Sequence, residues 1–87
     1  MTNMFPALLD VTMTARKVSN SDMARAIYGT RINRRGYPEA RGRDHVLHWR
    51  KGDITPDVKS VAKIAAVLKV PAETLQLVRD NDEFGLW

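Results

Sequence analysis

Sequence positions that could face a core recur along most of this chain at three- and four-residue steps. From Pro6 onward, Leu8, Leu9, Thr12, Met13 and Ala15 keep that spacing, which predicts a first helix ending near Val18. A proline suits the first turn, where its missing N–H has no intrahelical partner. Ser19, Asn20 and Ser21 are all good N-cap residues. After them Met23, Ala24 and Ile27 mark one face of a short second helix that stops before Gly29. Val46 and Trp49 share a face over Arg43 to Lys51, and Gly52 is placed to end that helix as a left-handed cap. Asp57 can cap the next segment, where Val58, Val61, Ile64, Ala65 and Leu68 form the cleanest amphipathic stripe. Pro71 opens a last helix with Leu75 and Val78 facing inward. Residues 29–42 have no apolar period and collect glycines and Pro38, so they read as a long loop or a small hairpin. No stretch alternates convincingly as a strand does. The expected fold is all-α, with five short helices over residues 1–79 and an acidic, then apolar, tail over residues 80–87.

Composition narrows the class. The chain has 87 residues, room for one small domain, and no cysteine. Disulfides, thiolate zinc sites and thiolate nucleophiles are thereby excluded. The longest aliphatic run, Ile64 to Leu68, is far below the roughly 20 residues of a membrane span. The N-terminus lacks a basic-then-apolar signal pattern, so a cytoplasmic location is expected.

The formal charge of +4 is concentrated. Residues 31–51 hold seven basic groups against Glu39 and Asp44, a charge of +5, whereas the rest of the chain sums to −1. Tyr37 and Trp49 are interleaved with these arginines. Such a segment is the electrostatic footprint of a polyanion binder, although a solvated loop could also carry it.

Three pieces of the chain resemble the lambda-repressor-like helix-turn-helix family (Cro/CI, or XRE). Ser19 to Ala24 (S-N-S-D-M-A) resembles the capped start of the family's second helix. Val46-Leu47-His48-Trp49-Arg50-Lys51-Gly52, followed after three residues by Pro56, resembles the end of its recognition helix. Val58 to Leu75 follows its last two helices. Two departures stand out. The family joins its second and third helices by a short turn, but here Gly29 to Gly42 forms an Arg-rich insert. Arg50 also stands where the family usually has a glutamate, and Asp10 on the first helix is its expected charge-swapped partner.

The resemblance implies a sequence-specific regulator of transcription that binds double-stranded DNA, of the phage or prophage repressor or Cro type. Its third helix would enter the major groove, with Gly42 at the N-cap and Arg43, Asp44 and His48 toward the bases. Arginine can donate two parallel hydrogen bonds to guanine, and aspartate can accept from cytosine. Ser19, Asn20 and Ser21 would meet the DNA backbone at a helix N-terminus, with Lys51 on the other side. Arg31, Arg34, Arg35 and Arg41 would form a basic arm along the backbone or in the minor groove. Such proteins usually bind as dimers, for which Phe84, Leu86 and Trp87 are the candidate contacts. The location implied is the DNA of a bacterial cell or a phage-infected host.

An alternative reading is an antitoxin-type interaction module that also binds its own operator. No enzymatic activity, cofactor or metal is expected, because no acid–base pair, nucleophile or phosphate loop is recognisable. His45 and His48 stand three apart, but no third ligand follows at suitable spacing.

Overall fold

The computed structural model describes residues 3–85. Five helices and one β-hairpin follow in the order α1 (Phe5–Ala15), α2 (Asn20–Tyr28), β1 (Thr30–Ile32), β2 (Pro38–Ala40), α3 (Arg43–Lys51), α4 (Val58–Leu68) and α5 (Ala72–Phe84). The domain is mostly helical with the five helices expected, and within residues 29–42 the chain forms the small hairpin rather than the long loop. Strand alternation was invisible there because each strand is three residues long and has no fully buried residue.

One core joins all five helices. Phe5, Leu9 and Met13 recur every four residues on α1 and present one buried stripe. They meet Met23 and Ala24 of α2, Val46 and Trp49 of α3, Val61, Ile64, Ala65 and Leu68 of α4, and Leu75 of α5. Burying each large aliphatic or aromatic side chain contributes about 1.5–3 kcal/mol. Val58 begins the amphipathic stripe but is 60% exposed, since it sits in the first turn of α4, outside the packed layer. Val78 is half-buried against the core.

The helix ends explain much of the layout. Ser19 caps α2, accepting from the Asp22 N–H at 3.0 Å, while the Asp22 carboxylate accepts from the Ser19 N–H at 3.3 Å. Asp57 caps α4 by accepting from the Ser60 N–H at 2.8 Å. Gly52 ends α3 with φ 85°, as the sequence predicts. The α1 helix stops at Ala15, earlier than expected, because Lys17 turns left-handed and the Val18 N–H reaches back to the Met13 carbonyl.

The segment expected as an acidic tail is helical through Phe84. Its Asp82 carboxylate accepts from the N–H groups of Met4 (2.8 Å) and Phe5 (2.7 Å). Thus α5 caps the first turn of α1, which has no side-chain cap of its own. Arg79 of α5 donates to the Pro56 carbonyl at 3.1 Å and pairs with Asp80 and Glu83, tying the α3–α4 turn to the last helix. Among the described residues no helix is long and apolar enough to cross a membrane.

Candidate nucleic-acid interface

The insert is a built element. Thr30 pairs with Ala40, Arg31 with Glu39 and Ile32 with Pro38 in an antiparallel ribbon. Asn33 organises the tip: its Oδ1 accepts from the N–H groups of Arg35 (2.9 Å) and Tyr37 (3.0 Å). Gly36 supplies the left-handed residue (φ 83°) that the turn requires, and its N–H donates to the Asn33 carbonyl. Across the ribbon, Arg31 Nε donates to Glu39 Oε1 at 2.7 Å. The Arg41 N–H donates to the Gly29 carbonyl at 2.9 Å and closes the base. The ribbon is thus held at the tip, across its middle and at its root.

The hairpin delivers the chain into α3 through Gly42, which is left-handed at φ 72°. The Tyr28 ring, at the end of α2, lies against Gly42 and contacts the rings of His45 (centroids 5.5 Å apart) and Trp49 (6.3 Å). Tyr28 therefore couples the root of the hairpin to the first turn of α3.

An open groove of about 590 Å³ lies between α2, the hairpin and the start of α3. Ser21, Arg25, Arg31, Glu39, Arg43 and Asp44 line it. The structure thus brings Ser21, Arg31, Arg43 and Asp44 together from three elements separated in sequence. It does not bring His48 there. His48 lies in the last turn of α3, where its Nδ1 is 3.2 Å from Asp53 Oδ2. Of the candidate backbone contacts, Ser19 is engaged in capping. Asn20 is engaged by Arg50, whose Nη1 donates to Asn20 Oδ1 at 2.8 Å.

Arg50 has the partner expected of it. Its Nε donates to Asp10 Oδ1 at 2.8 Å, and its Nη2 donates to the same oxygen. The guanidinium bridges α1, α2 and α3, and so fixes α3 by its buried side rather than offering charge to a ligand.

Several unpaired cations line the hairpin and α3. Arg34, Arg35, Arg41, Arg43 and Lys51 are exposed and have no ion-pair partner among the described residues. Arg34 and Arg35 occupy the hairpin tip, Arg41 its root, and Arg43 and Lys51 the two ends of α3. Asp22, beside the groove, is held below the usual carboxylate range by the hydrogen bond from the Ser19 backbone, then by the Ser19 hydroxyl, and its charge pairs with Arg25.

Two residues of this face escaped the sequence reading. Leu47 is 36% exposed and falls on the outer side of α3, angularly between Arg43 and Lys51. Arg25 reaches the groove from α2. A helical projection of Arg43 to Lys51 identifies Leu47, but Arg25 needs the packing angle of α2 against α3. The tail residues Leu86 and Trp87 lie outside the described residues, and Phe84 is 70% exposed. No family model, curated protein or solved structure matches this chain.

Proposed function

We propose that this protein is a sequence-specific double-stranded DNA-binding regulator of the helix-turn-helix kind, reading the major groove with α3. The observation that carries the reading is the two-sidedness of α3. Val46 and Trp49 are buried and Arg50 is clamped from behind, while Arg43, Asp44 and Leu47 are presented outward beside a groove lined by arginines. An α-helix with side chains is about as wide as the major groove, so such a face can enter it. Arg43 donates to guanine O6 and N7, Asp44 accepts from cytosine N4 or orients Arg43, and Leu47 meets thymine methyl groups. Ser21 and Lys51 contact phosphates on the two sides and fix the register. His48 is held toward Asp53 and takes a flanking position.

The repressor or Cro-like role, and dimeric binding to paired half-sites, belong to the same proposal. The antitoxin-type reading has its own support in Leu77 and Phe84. These two are seven residues apart on one side of α5 and are 61% and 70% exposed. Copurification of a small protein partner that is lost in Leu77→Ser/Phe84→Ser favours it.

Selection of bound duplexes from a random pool, at a stated salt concentration, tests the main reading. An enriched motif supports it, and recovery of unenriched sequence contradicts it.

A further inference from the structure

We infer that the hairpin is a second DNA reader: Arg34 and Arg35 enter the minor groove beside the site contacted by α3 and favour base pairs that leave its floor free of an amino group. The inference rests on the DNA-binding reading above and adds to it a second groove and a base preference.

Several observations converge on the tip. Arg31 is neutralised by Glu39, so the ribbon's middle carries little net charge, whereas Arg34 and Arg35 have no such partner. The Asn33 bracket and Gly36 fix the backbone between them, so the two side chains leave from an ordered turn. An ordered turn loses less conformational entropy on binding than a flexible basic loop. Ile32 and Tyr37 lie beside the tip, each 66% exposed. Alternation along the ribbon puts them on opposite faces. A tip with cations at its end and one apolar group on each side suits a slot with apolar sugar walls and a negative floor.

The groove assignment follows from size. The major groove is about 12 Å wide and an α-helix with side chains about 10–12 Å, so α3 fills its own segment. The minor groove, about 6 Å wide, is too narrow for the ribbon but admits arginine side chains. Its potential is most negative where it is narrow, as in A·T-rich DNA, and the guanine N2 amino group obstructs its floor. The preference is therefore for A·T over G·C flanks.

Inosine separates the two grooves, because an I·C pair matches G·C in the major groove but lacks the minor-groove amino group. The test measures affinity of the full chain, at one low salt concentration, for 30-base-pair duplexes of alternating A·T, G·C and I·C. The wild type is expected to bind the I·C and A·T duplexes at least about fivefold tighter than G·C. Arg34→Ala/Arg35→Ala is expected to bind all three with similar, weaker affinity while melting at the wild-type temperature. Equal wild-type affinity for I·C and G·C overturns the proposal, as does a preference that survives in the double variant. Either result leaves major-groove reading by α3 intact. Failure to bind any duplex overturns both readings.

Discussion

The ring of Tyr28 occupies the space that a side chain at Gly42 would need: an added Cβ would lie 2.7 Å from its Cε2 and 2.9 Å from its Cγ. Gly42 is also left-handed, with φ 72°. The contact joins the end of α2, the root of the hairpin and the start of α3, so it sets the angle at which Arg43 and Asp44 are presented.

Gly42→Ala is expected to cost more than the roughly 1–2 kcal/mol of left-handed backbone strain alone, because Tyr28 must also move. Gly36→Ala is the comparison. Its φ of 83° is similar, but nothing lies within 4 Å of an added Cβ, so only the backbone cost is expected. Urea denaturation of the two variants checks the ordering. Equal losses would mean that the Tyr28 contact does not constrain the hairpin root.

Asp10 and Arg50 are 40 residues apart in sequence and joined by hydrogen bonds across α1 and α3. Asp10 is half-exposed, so the coupling is expected at about 0.5–1 kcal/mol, within the range of partly solvated ion pairs. A double-mutant cycle of Asp10→Ala and Arg50→Ala measures it. Asp10→Ala alone should also weaken DNA binding modestly, since it loosens α3 from behind. Zero coupling would remove Asp10 from the clamp and leave Arg50 held by Asn20 alone.

Acid stability follows from the two caps. Asp22 is held below the ordinary carboxylate value by the Ser19 backbone and hydroxyl, and Asp57 by the Ser60 hydroxyl and backbone. Both folded-state values are lowered. Their contribution is therefore present above about pH 4, where unfolded carboxylates are ionised, and is lost as the pH falls through the folded values. Asp22→Asn/Asp57→Asn keeps a capping oxygen at each site but removes the titration. Its denaturation midpoint should fall less steeply between about pH 4 and pH 2 than the wild type's. Parallel curves would show that these caps do not drive the acid response.

The helices were largely legible in the sequence because their signals are local. Ser19, Asp57 and Gly52 act where a cap was expected, and the bounds of α3 follow from Gly42 and Gly52. The Asp10–Arg50 pair was legible only through the family resemblance, since nothing local links residues 40 apart. The hairpin was half legible. Its glycines and Pro38 announced turns, but three-residue strands with no fully buried residue leave no hydrophobic alternation to read. The acidic run at 80–83 was opaque for a different reason. Its composition resembles a solvated tail, and only folding brings Asp82 to the open N–H groups of Met4 and Phe5. On the candidate interface, Arg43 and Asp44 came from the family resemblance and Leu47 is open to a helical projection, whereas Arg25 depends on how α2 packs against α3.

The central claim is that the outer face of α3 reads base sequence, and paired selections from random duplex DNA at about 0.15 M salt test it most directly. Wild-type protein is expected to recover an enriched motif. Arg43→Ala is expected to recover the same motif with one guanine position relaxed, a loss of about 1–3 kcal/mol of discrimination there. No enriched motif with the wild type, or an identical motif with Arg43→Ala, would contradict the assignment of α3 as the reading element.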